Sequence, residues 1–431
     1  MSHITLRQSY QSLSDRLNLF PQGAPPTELL FKILQLLFTE EEAALVALLP
    51  LRPFTAAAAA RNWKQTESAA LTTLENLASR GMLLDLELGE KRFFVLPPPM
   101  AGFFEFSMMR VGNGYDQKLL AELFYQYLNV EEDFIRNLLC AGETRMGRVF
   151  VNESALGPAT ALEVMDYERA TEVIRTASHI GVGTCYCRHK MEHVHKACSN
   201  PLDNCMTFNS TASSLIKHGI ARQADVEEGM DLLQESIGHN LVQFGENVRE
   251  QVAFICNCCG CCCEALLAAK RFAALSPIAT TNFLPEVEAA NCNGCGKCVE
   301  ACPVEAMGLV SARDPRQSKR KQAKLQPDLC LGCGVCVRTC ARNVLSLRSR
   351  ERRLITPVTT AHRTVLMAIE RGKLQNLIFD NQAHWNHRAM AAILGAILKL
   401  PPIKQIMASR QMKSIYLDRL LGLPGSALPH H

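Results

Sequence analysis

Two cysteine runs of one spacing, Cys-x2-Cys-x2-Cys-x3-Cys, constrain this chain more than any other feature. The first run is Cys292, Cys295, Cys298 and Cys302; the second is Cys330, Cys333, Cys336 and Cys340. A tight loop of this spacing wraps three thiolates around one cubane. The fourth thiolate must come from elsewhere, and in this pattern the last Cys of each run ligates the other cluster. The spacing therefore predicts two [4Fe–4S] clusters. One is on Cys292, Cys295, Cys298 and Cys340, the other on Cys302, Cys330, Cys333 and Cys336. Gly294, Gly296, Gly332 and Gly334 suit the sharp turns such loops need. Zinc also binds paired cysteines, but it has no use for three ligands plus a crossed fourth, twice over.

Residues 285–350 resemble the bacterial two-cluster ferredoxin module, on those eight cysteines and on Pro303 after the first run. Two departures stand out. Ala341 replaces the proline after the second run, and the stretch from Pro303 to Leu329 is long and carries a basic insert, Arg313–Lys324. The formal net charge of the whole chain is only +4. From Arg313 to Arg353, however, twelve Lys and Arg face three acids. The insert reads as a solvated loop, and functionally as a dock for the acidic surface of a redox partner protein, a salt-sensitive contact. Nucleic acid is the weaker reading, because no aromatic residues interleave the charges.

Ten further cysteines crowd residues 185–263: Cys185, Cys187, Cys198, Cys205, Cys256, Cys258, Cys259, Cys261, Cys262 and Cys263. Thiols at such density serve as thiolates, and thiolates take metals. The simplest set of four is Cys185, Cys187, Cys198 and Cys205. The CNCCGCCC run could supply a second site, with cysteines to spare. One or two additional iron–sulfur clusters are the expectation. Zinc, with His189 or His193 as co-ligand, and a redox-active dithiol are the alternatives. Arg188 and Lys190 could offset thiolate charge or lie on the surface. Cys140 stands alone and reads as a small buried hydrophobe. CYCRHK, AC-x6-C and ICNCCGCCCE, followed by the two runs, resemble a group of 4Fe–4S-binding proteins of anaerobic bacteria over residues 165–345. That resemblance implies iron–sulfur binding and redox function, without a reaction.

The rest of the chain predicts an α+β multidomain protein. Residues 27–98 read as a winged-helix-like domain of four helices and a hairpin. Thr27, Thr39, Thr55 and Thr66 stand at helix starts, and Thr39 with Glu42 forms a capping box. Pro97-Pro98-Pro99 closes the unit. Its presumed recognition helix, Thr66–Arg80, carries Glu67 and Glu75 and little positive charge, so a protein-contact role is favoured over DNA. Residues 103–284 read as a mainly helical Cys-rich domain, residues 285–350 as a ferredoxin-like 2[4Fe–4S] domain, and residues 360–431 as a helical C-terminal tail. The last tail helix, Ile403–Leu421, is basic and amphipathic. It allows peripheral membrane contact or packing back on the iron–sulfur domain.

No charged-then-apolar leader opens the chain, and no apolar run is long enough to span a bilayer. Nineteen cysteines then argue for metal ligation in a reducing cytoplasm rather than for disulfides. The functional expectation is an iron–sulfur electron-transfer protein. The alternatives are an oxidoreductase with a catalytic central cluster, and a redox-sensing winged-helix regulator. No Gly-rich phosphate loop follows a predicted strand.

Overall fold

The computed structural model describes residues 2–112, 114–312, 319–381 and 383–400; for residues 2–7 and 88 only the backbone is described. The expected helix Ile403–Leu421 lies outside these residues, as does the first half of the basic insert.

Helices and strands are mixed. The N-terminal helices form where their caps predict: Glu28–Leu37, Glu40–Ala47, Ala56–Trp63 and Glu67–Ser79. Each preceding threonine accepts a hydrogen bond from a backbone N–H of the first turn, and the Thr39–Glu42 box is complete. Strands β1 (Leu84–Leu88) and β2 (Lys91–Val95) pair antiparallel as the expected hairpin. A further helix, Ser2–Leu19, precedes them. Pro97–Pro99 does not interrupt the packing: one core runs from Tyr10 through Phe38, Leu74 and Phe104 to Phe134 and Met146.

Residues 147–258 hold the strands that organise the molecule. They are β3 (Gly147–Val149), β4 (Ile180–Gly183), β5 (Cys205–Phe208), β6 (Arg222–Ala224), β7 (Val242–Glu246) and β8 (Phe254–Cys258). They form one antiparallel sheet in the order β3-β7-β8-β5-β4-β6. Helices lie between these strands, but the mainly helical reading left out this sheet. The strands are three to five residues long, and β3, β4 and β7 are buried on both faces, so they lack the alternation that marks a strand in sequence.

Strands β9 (Phe283–Val287), β10 (Met307–Ser311), β11 (Lys321–Leu325) and β12 (Leu345–Ser349) belong to the segment of the two cysteine runs. β9 pairs with β12 and β10 with β11, both antiparallel. The solvated-loop reading of the basic insert is thus corrected over Lys321–Lys324. These residues lie in β11, where Ala323 is buried between half-buried Gln322 and exposed Lys324.

The C-terminal helix Thr360–Glu370 docks on the central sheet. Arg363 pairs with Glu246 of β7 at 2.9 Å, both buried, and Thr360 donates to the same carboxylate at 2.8 Å. Leu374 and Leu377 pack against Leu51 and Phe20. The described tail therefore packs on the sheet and the N-terminal helices. Among the described residues no helix is long and apolar enough to cross a membrane.

Asp85 fastens the hairpin to the sheet. It is 4% exposed and accepts hydrogen bonds from Ser214 (2.7 Å), Lys217 (2.8 Å), His218 (3.0 Å) and Arg92 (2.8 Å). Burial pushes its carboxyl up, but the bonds from His218, Lys217 and Ser214 outweigh it and hold the group well below the carboxylate range. Its contribution to stability is thus full above the unfolded pKa of about 3.9 and fades only as the pH falls below that value. Asp85→Asn is expected to lose about 1.5–3 kcal/mol at neutral pH, the worth of hydrogen bonds to a charged group. The variant should also show a shallower loss of stability below about pH 4. Denaturant titrations at pH 7 and pH 3 check both.

Candidate metal centre

The two cysteine runs fold alike. Gly294 and Gly296 take φ of 68° and 85°, and Gly332 and Gly334 take 72° and 85°. The left-handed turns let each run curl back before a four-residue helix, Lys297–Glu300 or Val335–Arg338, that carries the third cysteine. Space also demands glycine: a Cβ on Gly332 would stand 2.1 Å from Thr281 Oγ1. Two small cavities result. One is lined by Cys292, Cys295, Cys298 and Cys340, the other by Cys302, Cys330, Cys333 and Cys336. These are the two crossed sets that the spacing predicts.

The chemistry of the cavities suits a polynuclear cation. Burial pushes Cys330 up to about 11 and Cys333 up to about 12. Bare thiolates are therefore costly there, and iron would supply the missing positive charge. Backbone N–H groups are already aimed at sulfur. Ala323 donates to Cys292 at 3.4 Å, Ala306 to Cys302 at 3.2 Å and Gly332 to Cys330 at 3.4 Å. Such bonds tune the potential of a bound cluster. The donor Ala323 belongs to β11, so the insert between the runs covers the first cavity.

The ten central cysteines sort into two groups, and the sorting differs from the simplest sequence grouping. Cys198 does not stand with Cys185, Cys187 and Cys205. Its sulfur lies 3.6 Å from Cys259 and 3.8 Å from Cys262, and Cys261 lies 3.7 Å from Cys262. The other six form a second group. Cys205 and Cys256 face each other across β5 and β8, with sulfurs 3.9 Å apart. Cys258 follows on the same face of β8, as the two-residue period of a strand requires. Thiol contacts run on from Cys256 to Cys258, Cys263 and Cys187. Cys185 lies close by, and burial pushes it up to about 12. Hydrogen bonds from Cys205 and Cys258 hold Cys256 down at about 5.

The six-thiol group forms one wall of a cavity of about 700 Å³. Leu86, Val95, Met100, Met109 and Phe244 contribute apolar walls, and Glu105 adds a carboxyl. The backbone N–H groups of Ala101 and Gly102 donate to Glu105 at 2.7 and 3.0 Å. Burial outweighs them and raises the Glu105 carboxyl to about 8. Sequence reasoning missed Glu105, which sits in an unremarkable helical stretch, PheGluPhe. Only the fold brings it to the cavity.

Arg188 and Lys190 are buried, which removes the surface reading. Arg188, 1% exposed, donates to the carbonyls of Pro201 (2.7 Å) and Asn257 (2.6 Å) and to Asn204 Oδ1 (2.9 Å). Burial works against its charge, but the sulfurs of Cys185, Cys259 and Cys258 more than restore it. Lys190 is paired with Glu264, both fully enclosed. His189 Nδ1 bonds the carbonyl of Met108 at 2.8 Å, and its Nε2 meets His193 at 3.2 Å.

The central cysteines adjoin the second run directly. Cys258 and Cys263 share one apolar cluster with Val304, Ala306, Cys330 and Leu331, against which Cys256, Cys302 and Cys333 also pack. At the contact a Cβ on Gly260 would stand 2.2 Å from the carbonyl oxygen of Pro303. Only glycine permits that approach.

Residues 291–344 match the model of a 4Fe-4S dicluster domain, which supports iron–sulfur cofactors in this segment. No curated protein and no solved structure matches the chain.

Proposed function

We propose that this chain is an iron–sulfur electron-transfer protein. Residues 285–350 act as a ferredoxin-like domain with two [4Fe–4S] clusters, on Cys292, Cys295, Cys298 and Cys340 and on Cys302, Cys330, Cys333 and Cys336. A further cluster takes its ligands from Cys185, Cys187, Cys205, Cys256, Cys258 and Cys263. Electrons pass between it and a partner protein by way of the ferredoxin-type clusters. The basic stretch around β11 is the docking face for an acidic partner, and the cytoplasm is the setting.

The observation that carries this reading is the Gly260–Pro303 contact, which joins the two cysteine regions without intervening chain. Cluster-to-cluster transfer needs such adjacency. Gly260→Val is therefore expected to force the regions apart, at about 1–3 kcal/mol of overpacking. Electron equilibration between the ferredoxin-type clusters and the central centre should slow, while the acid-labile sulfide content holds. Rapid-freeze EPR after partial reduction reads that exchange; an unchanged rate would count against the relay.

The cavity favours a second reading, an oxidoreductase in which the central cluster meets a substrate. A pure relay has no need of about 700 Å³ of lined space beside its thiols. A ligand-dependent change in the EPR signal of the central centre distinguishes the two. The winged-helix-like region 27–98 is read as a contact module. Its hairpin is engaged by Ser214, Lys217 and His218 through Asp85, and Glu67 and Glu75 are exposed on its presumed recognition helix.

A further inference from the structure

We propose that Cys198, Cys259, Cys261 and Cys262 bind a single thiophilic metal ion, separate from every iron–sulfur cluster. Their four sulfurs all lie within 4.8 Å of one another. Four thiolates at about 2.3 Å around one ion stand on a tetrahedron with an edge of about 3.8 Å. The sulfur separations of 3.6, 3.7 and 3.8 Å match that edge. A cubane mounts each thiolate on a different iron, so its four sulfurs stand much further apart. The chain supplies its own contrast: among the described residues, no three of the eight cysteines in the two runs come as close as these four.

The fold delivers the ligands from two places. Cys198 lies in the loop after the helix Tyr186–His193, and the other three lie in the turn between β8 and the helix Glu264–Arg271. Four thiolates on a divalent ion leave a charge of −2. Asn200 Nδ2 donates to Cys198 at 3.2 Å, and the buried Arg188 lies beside Cys259, so both groups offset that charge. Cys259 and Cys262 are buried and Cys261 is exposed, which gives the ion an entry side. Bound there, the ion clips the Cys198 loop to the turn that also carries Cys258 and Cys263. Zinc and ferrous iron share this ligand chemistry. The ion carries no sulfide, so the proposal stands or falls apart from the electron-transfer reading.

The test is zinc, iron and acid-labile sulfide per chain on the full-length protein purified anaerobically, as wild type, Cys198→Ser and Cys261→Ser. One metal ion in excess of sulfide is expected in the wild type, either as zinc or as iron without sulfide. Both variants should lose that ion and keep their sulfide. Loss of iron and sulfide in equal numbers would make these cysteines cluster ligands and overturn the proposal, as would variants that keep every metal or a wild type with no excess ion. If the variants do not fold, the wild type decides by X-ray absorption at the zinc edge or by Mössbauer spectroscopy of the iron. At the zinc edge, four sulfurs at about 2.3 Å with no neighbouring metal are expected, or, for iron, a mononuclear tetrathiolate signal beside that of the cubanes; a metal neighbour at the zinc edge, or the absence of both signals, would refute it.

Discussion

Replacing Cys302 with Ala is expected to remove the cluster held mainly by the second cysteine run. Cys302 belongs to the first run in sequence, but it lines the same cavity as Cys330, Cys333 and Cys336. The variant should lose about four iron and four sulfide, the content of one cubane. Cys340→Ala should remove the other cluster, on Cys292, Cys295 and Cys298, by the same crossing. EPR of the reduced variants separates the two, because each retains the cluster that the other lacks. Loss of the cluster of the mutated run itself, in both variants, would refute the crossed assignment.

Lys190→Met is expected to be the most destabilising single change outside the cysteines. Its ammonium and the Glu264 carboxylate are 0% and 3% exposed at the side chain. Removing one partner strands a buried charge, at about 3–5 kcal/mol. Asn129 would still donate to Glu264 at 2.7 Å, which softens the loss without cancelling the charge. The pair also has a place in the site. Lys190 is three residues from Cys187, and Glu264 follows Cys263, so the ion pair braces the two helices that present those thiols. Lys190→Met should therefore lower the midpoint for thermal bleaching of the central centre. The double variant Lys190→Met, Glu264→Leu should recover most of the difference, because it leaves no unpaired charge. A double variant as weak as the single one would show that the ion pair itself, rather than the stranded carboxylate, carries the stability.

Local chemistry was legible in the sequence, and long-range pairing was not. The caps at Thr27, Thr39, Thr55 and Thr66 and the turn at Gly89-Glu90 act over a few residues, and their helices and hairpin form in place. The motif encodes the crossed cysteine sets, and the two cavities are lined by cysteines in the same grouping. The central cysteines had no such code. Cys205 faces Cys256 only because β5 pairs with β8 across fifty residues of chain, and those strands are too short and too buried to announce themselves. The grouping of Cys198 with Cys185, Cys187 and Cys205 followed closeness in sequence, whereas the loop after His193 carries Cys198 to the other group. Arg188 and Lys190 looked like ordinary surface charges until the sheet and the helix Glu264–Arg271 enclosed them. Glu105 carried no signal at all, since nothing in PheGluPhe says which cavity it will line.

Cys185, Cys187, Cys205, Cys256, Cys258 and Cys263 are proposed to hold a cluster in addition to the two in residues 285–350. Six thiols suffice for one more cubane, and four of the ten are drawn away to the separate sulfur group. Acid-labile sulfide per chain on the anaerobically purified wild-type protein tests this most directly, because a lone metal ion contributes none. About twelve sulfide, three cubanes' worth, are expected. About eight would mean that the ferredoxin-type clusters are the only ones, and would contradict the proposal.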